Sequence, residues 1–273
     1  MRIDAHQHFW RFDPARQTWI TDEMSAIRRD FLPEDLRPEL RAAGIDASVV
    51  VQTDQSEEET RFLLELADTH TQIAAVVGWV DLRAENARER LEHFSSFEKL
   101  RGFRHIAQAE PDDCFLIRED FLRGISNLEA FGFTFDILIY PRQLAAAAQL
   151  VRRFPRQGFV VDHLAKPCIK SGEIEPWATY IRQIGECENT FCKLSGMVTE
   201  ANWHHWKPAD FKPFLDIVFE AFGTGRLMFG SDWPVCLLGA NYKQVYDLIA
   251  SYCGSDHERI FGSNAARFYG LTA

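Results

Sequence analysis

The sequence predicts a (β/α)8 TIM barrel, a single domain with a long loop after the first strand. Three observations predict it. Eight short apolar runs rich in β-branched or aromatic residues recur along the 273-residue chain, helical stretches fall between them, and no glycine-rich phosphate turn follows a strand. The last point weighs against a doubly wound open sheet. The nearest match, Gly223-Thr224-Gly225, precedes a strand and has Met228 at the third glycine position.

Strands are expected at Ile3–His6, Ala47–Gln52, Ile73–Val80, Gly102–Ile106, Phe133–Ile139, Phe159–His163, Phe191–Ser195 and Leu227–Ser231. Between the second and third, Glu57–His70 carries Phe62, Leu63, Leu66 and Ala67 on one stripe, with Ser56 placed to cap its start. Further helices are expected at Asn86–Phe94, Arg118–Phe131, Arg142–Phe154, Trp177–Glu186, Phe211–Phe222 and Tyr242–Cys253. Parallel neighbours need such crossovers. One connection is abnormally long. Phe9 to Gly44 contains Trp10, Trp19, Pro14, Pro33 and Pro38, and only Glu34–Ala43 looks helical. A barrel puts this loop on its catalytic face, so it reads as a lid or substrate wall, or as plain cover for the mouth.

With 46% apolar and 26% charged residues, the composition is that of an ordinary globular protein. A formal net charge of −10 argues against nucleic acid or an anionic membrane as the main partner. The six cysteines form no Cys-x-x-Cys pair, which points to reduced thiols. No apolar run has the length of a membrane span and no signal sequence is found, so a soluble cytoplasmic protein is expected, with a homo-oligomer left open.

The chemistry gathers at the strand ends. In the opening Met-Arg-Ile-Asp-Ala-His-Gln-His-Phe-Trp, strict alternation places His6 and His8 on one face with Asp4 beneath them, and Ile3 and Ala5 on the other. Two adjacent imidazoles suit one cation; the plain alternative is a hydrogen-bonded core His6 and a loop-capping His8, and the pair needs further ligands from later in the chain to decide. The other strand ends add Arg104-His105 with Gln108, Asp136, Asp162-His163 with Lys166, Lys193 and Ser195 with Glu200, and Ser231-Asp232-Trp233-Pro234. Each has a plain reading: Asp232 as a helix cap, Lys193 paired with a carboxylate, His204 and His205 in a surface loop. Together, His6, His8, His163 and Asp232 supply a ligand set for one divalent metal, and Asp232 can also deprotonate an attacking water.

The stretches HQHFW (6–10), FLPEDLRPEL (31–40), VVVQ (49–52), RGFRH (101–105), VVDHLAKP (160–167), CKLSGM (192–197), MFGSDWPV (228–235) and IFGSNAARFYGL (260–271) run through the whole chain. On them the sequence resembles the amidohydrolase superfamily, in its branch of L-fuconolactone and L-rhamnonolactone hydrolases. The resemblance implies a sugar lactone as small-molecule partner and one divalent metal ion, zinc by first choice, which the branch can dispense with. Binuclear members carry a bridging Lys or Glu on strand four and His on both strands five and six. Here Arg104-His105 and His163 alone stand at those places, so a binuclear centre is not expected.

On this reading Asp232 takes a proton from water that attacks the lactone carbonyl. His163 orients it, and Arg104, His105 and Lys166 are the donors for the developing charge. Trp10, Trp19, Trp203 or Trp233 would stack on the sugar, while Gln52, Gln108 or Glu200 would bind its hydroxyls. A metal-dependent decarboxylase of the same superfamily and a non-catalytic sugar-acid-binding barrel are the alternatives.

Overall fold

Each of the eight apolar runs becomes a strand of one parallel sheet. The computed structural model describes residues 1–271. Its strands are β1 (Ile3–Gln7), β2 (Ala47–Val51), β3 (Ile73–Gly78), β4 (Leu100–His105), β5 (Thr134–Ile137), β6 (Phe159–Val161), β7 (Thr190–Leu194) and β8 (Leu227–Phe229). They lie side by side in chain order. Closure comes from a parallel bridge between Gln7 and Trp233, with His8 N donating to the Trp233 carbonyl (2.7 Å) and Asp232 N to that of His6 (2.8 Å). This is the (β/α)8 barrel the sequence predicts. β3, β5, β6 and β8 stop two residues short of their expected ends because the chain leaves the sheet there to form the mouth.

The helices are α1 (Pro33–Ala43), α2 (Glu57–Thr69), α3 (Ala87–Phe94), α4 (Glu119–Leu128), α5 (Leu144–Arg153), α6 (Trp177–Gly185), α7 (Met197–Glu200), α8 (Pro208–Phe222), α9 (Tyr242–Cys253) and α10 (Asn264–Tyr269). Ser56 caps α2 by accepting from Glu59 N. The short α7 and α10 escape a periodicity reading because neither spans two full turns. Among the described residues no helix is long and apolar enough to cross a membrane.

Inside the barrel, Ile3, Ala5, Val49, Val51, Ala75, Val77, Val160, Phe191 and Met228 form an apolar plug that Ala265 and Tyr269 of α10 complete. Alternation along β4, β5 and β7 then places Arg104, Asp136 and Lys193 on this same inner face, nearer the carboxyl ends. β1 breaks the alternation. Asp4 pairs with Ser48 but Gln7 with Val50, so β1 holds one more residue than β2 over that interval, a β-bulge. Ala5 and His6 therefore both face inward. Asp4 is not beneath the histidines, as strict alternation has it; its carboxylate points outward and accepts from Tyr242 Oη of α9 (3.0 Å).

The long first loop folds back on itself, with Trp10 and Phe31 exchanging both backbone hydrogen bonds at 2.9 Å. Trp10 is buried, stacks edge-on against Trp19 and Phe31, and donates from Nε1 to the Arg29 carbonyl (2.9 Å). Trp233 is buried against Phe9 and Phe31. Trp10 and Trp233 thus both anchor the loop to the barrel rim. Trp19, 37% exposed, keeps a free surface. Trp10→Ala is expected to lower stability in a urea melt by about 3–5 kcal/mol, as for buried aromatic truncations. Trp19→Ala should cost about 1 kcal/mol or less. Equal losses would refute the assignment of Trp10 as the anchor.

Candidate active site

With the bulge in place, both β1 histidines aim into the mouth. His6 Nε2 lies 3.2 Å from His8 Nε2 and 3.8 Å from Asp232 Oδ1, and His8 Nε2 is 3.2 Å from the same oxygen. His163 Nε2 approaches Asp232 Oδ1 at 3.9 Å. His8 Nδ1 sits 2.7 Å from the Val51 carbonyl. A carbonyl only accepts, so His8 carries a proton on Nδ1 and turns Nε2 toward the cluster. His163 Nδ1 is held by Ser195 Oγ at 2.9 Å.

The backbone is strained where it presents these groups. His163, Leu164, Ala165 and Lys166 lie successively at φ 51 to 57°, and Asp232 at φ 58°. Close approach is secured by glycine. A Cβ on Gly196 (φ 62°) would fall 2.4 Å from His163 Nδ1, and one on Gly230 would fall 2.6 Å from His6 Cβ.

Beneath the cluster lies a buried ionic layer. Lys193 Nζ is 2.5 Å from Asp136 Oδ2, 3.0 Å from Asp162 Oδ1 and 3.1 Å from His6 Nδ1, with no exposure. Arg104 Nη1 pairs with Asp162 Oδ2 at 3.0 Å, and Nη2 donates to the Gln52 carbonyl. Burial alone would neutralise Asp162, but Lys193, His6 and Arg104 outweigh it and hold its carboxyl well below the usual range. Asp136 is raised to about 6 by burial and the charge of Asp162, against Lys193. Burial also drives the imidazoles of His6 and His163 well below their ordinary range, against the pull of Asp162 and Asp232 respectively. Both are neutral near pH 7. For Asp232, burial works against the charge, while His163, His8 and Lys166 overcome it and keep the carboxyl below its usual range.

The structure thus brings together His6, His8, His163 and Asp232, with Arg104 directly below. Lys166 stands at the rim, Nζ 2.8 Å from Glu200 Oε1 and 5.7 Å above the Tyr140 ring. His105 does not join them. It is the outward neighbour of Arg104 on β4, stacked on Phe115 at 4.6 Å with Nε2 2.7 Å from Glu110 Oε1, which corrects its expected role as a donor at the mouth. Gln52 is buried and donates from Nε2 to the Arg104 carbonyl (2.9 Å). The Oε1 atoms of Gln52 and Gln108 are buried with no hydrogen-bond partner among the described residues. His204 and His205 are exposed. Asp162 is a further functional residue, signalled in the sequence only by its place before His163 at a strand end, and nothing in the sequence signals the Val51 carbonyl.

The family model described as amidohydrolase matches residues 3–271. The chain belongs to the amidohydrolase family. An L-fucono-1,5-lactonase of Burkholderia multivorans is 40% identical to this amidohydrolase over 99% of the chain and 96% of the relative. Another enzyme of that name, from Burkholderia ambifaria, is 38% identical over 98% and 95%. A crystal structure of an amidohydrolase from Burkholderia multivorans with bound zinc superposes with a TM-score of 0.95, at 40% identity and complete coverage of both chains.

The donor set of this amidohydrolase fits a divalent cation. Tetrahedral bonds of 2.0–2.1 Å separate ligand atoms by about 3.4 Å, and His6 Nε2, His8 Nε2 and Asp232 Oδ1 lie 3.2–3.8 Å apart. His6, Asp162 and His163 form a second ligand-like group. The Lys193 ammonium already sits against it, 3.0 Å from Asp162 Oδ1, so a positive charge is built in there. Removing that charge leaves the buried Asp136 carboxylate without a cation and Asp162 with Arg104 alone. Lys193→Met should therefore destabilise the fold by about 3–5 kcal/mol, read as a lower urea midpoint. An unchanged midpoint would show that the ionic layer does not support the site.

Proposed function

We propose that this amidohydrolase hydrolyses a sugar-derived lactone, of the L-fucono- or L-rhamnono-lactone type, to the open sugar acid. The reading is carried by the convergence of the His6, His8 and His163 imidazoles on an ionised, buried Asp232, in a chain 40% identical along its length to an L-fucono-1,5-lactonase. His6, His8 and Asp232 are the residues that would hold a divalent cation, zinc in the first instance, with His163 beside them. When bound, that cation supplies Lewis-acid chemistry at the point where they meet.

The chain's own groups do the rest. Asp232 is ionised at neutral pH and so can accept a proton from water as the water attacks the lactone carbonyl. The same carboxyl then returns the proton to the departing ring oxygen. His8 and His163, held through Nδ1 by the Val51 carbonyl and Ser195, keep their Nε2 atoms turned toward the reacting atoms. Burial opposes the charge on Lys166, but Glu200 and Asp232 outweigh it and hold the ammonium above its usual range. Lys166 is thus the donor for charge developing on the carbonyl oxygen. Arg104 acts from beneath, fixing the charge of Asp162.

Turnover of a panel of five- and six-carbon aldonolactones, followed with a pH indicator, tests the reading. Acid release is expected. Carbon dioxide from unsaturated acids would make the protein a decarboxylase, and binding without turnover would make it neither. Asp232→Asn keeps shape but cannot accept the proton, so kcat should fall about 10²–10⁴-fold with the fold intact. Near-full activity in that variant would overturn the mechanism. If the cation is required, a chelator should abolish activity and added zinc restore it; full activity in a zinc-free, chelator-treated protein would assign the histidines to water positioning alone.

A further inference from the structure

The bulge in β1 leaves a backbone problem that one side chain solves. His6 is the extra residue's neighbour, and its amide is turned to Asp4 Oδ1 at 3.1 Å. The same oxygen accepts from the amide of Ser231, the residue before Asp232, at 2.9 Å. Asp4 Oδ2 accepts from Tyr242 Oη at 3.0 Å, and the side chain has no solvent exposure. One carboxylate therefore spans the seam between β1, which carries His6 and His8, and the turn after β8, which carries Asp232 in a left-handed conformation. The seam is short of ladder bonds: its parallel pairing is the single bridge from Gln7 to Trp233. None of the hydrogen bonds given to Asp4 is to an imidazole of the cluster or to Asp232.

We propose that Asp4 is a positioning residue that sets the mutual geometry of His6, His8 and Asp232 by stapling the β1 bulge to the turn after β8. A bulged strand is free to return to regular alternation unless its displaced amide is satisfied. Returning would swing His6 and His8 out of the mouth, since a one-residue slip exchanges the two faces of a strand. Asp4 removes that option, and it ties the position of Asp232 to the position of the histidines through a shared acceptor. The proposal rests on the site assignment above for its activity and zinc readouts; the ¹⁵N readout needs neither metal nor substrate.

The test compares Asp4→Ala and Asp4→Asn with the unmodified full-length protein. Three quantities are read: zinc affinity by chelator competition, imidazole ¹⁵N shifts of His6 and His8 by NMR, and kcat with KM on whichever aldonolactone is turned over. Asp4→Ala should lose about 10–100-fold in zinc affinity, the range for groups that orient metal ligands. Its kcat should fall at least tenfold with KM little changed, and both ¹⁵N shifts should move. The Asn oxygen still accepts from both amides, so Asp4→Asn should recover affinity and kcat to within about threefold. Leu63→Ala, a truncation of the outer core, serves as the stability control and should lower Tm without changing zinc affinity or the ¹⁵N shifts. If Asp4→Ala does not fold, Asp4→Ser, whose hydroxyl reaches one amide only, must show the same losses. Unchanged ¹⁵N shifts and zinc affinity in folded Asp4→Ala or Asp4→Ser would overturn the proposal, as would equal losses in Leu63→Ala. Failure of the unmodified protein to turn over any lactone would refute the activity while leaving the ¹⁵N comparison to decide the role of Asp4.

Discussion

One extra residue in β1 decides which way two histidines point. Ala5 belongs to the apolar plug inside the barrel. In a regular strand that would send Gln7 inward and put both His6 and His8 against the helices. The extra residue between Asp4 and Gln7 resets the phase, so that His6 follows Ala5 inward, His8 joins it, and Gln7 turns out to donate to Ser48 Oγ at 3.1 Å. Every other feature of the site presupposes that reset. The carbonyl of Val51 can orient His8, and the ionic layer can meet His6 Nδ1, only because those rings face the barrel axis.

The electrostatics follow from depth. The barrel interior is apolar at its amino end, ionic in the middle and imidazole-rich at the mouth. The middle layer uses two fixed cations, Lys193 and Arg104, to keep Asp162 charged in a place where burial alone would neutralise it. Such buried pairs add little net stability over apolar packing but are costly to break. Their contribution here is positional: they hold His6 from its far side and keep a positive charge where a second cation would have to sit. Above them, imidazoles neutralised by burial face a carboxylate kept ionised by its neighbours. That is an arrangement suited to gathering a cation and accepting a proton. Left-handed conformations at His163 and Asp232 are the local strain that accompanies it.

The barrel was legible because eight β-branched or aromatic runs alternate with amphipathic stretches, a signal that survives errors of a residue or two at each end. The convergence of His6, His8, His163 and Asp232 was legible for the same reason, since barrel topology brings strand ends together whatever the register. What alternation could not reveal is its own exception in β1, so Asp4 was placed on the wrong face. The exclusion of His105 follows from parity once Arg104 is known to face inward, but two adjacent polar residues at a strand end do not say which of them does. An aromatic residue beside a barrel mouth fits a sugar platform or a loop anchor, and the anchoring contacts of Trp10 and Trp233 with Phe31, distant from Trp233 in sequence, are visible only in the fold.

The measurement that bears most directly on the account is the location of zinc in crystals of the metal-loaded protein by anomalous scattering at the zinc edge. The account predicts one strong peak in the mouth, bonded at about 2.0–2.2 Å to Nε2 of His6, Nε2 of His8 and the carboxylate of Asp232. A peak held instead by His6 Nδ1 and Asp162, with Lys193 displaced, would contradict it.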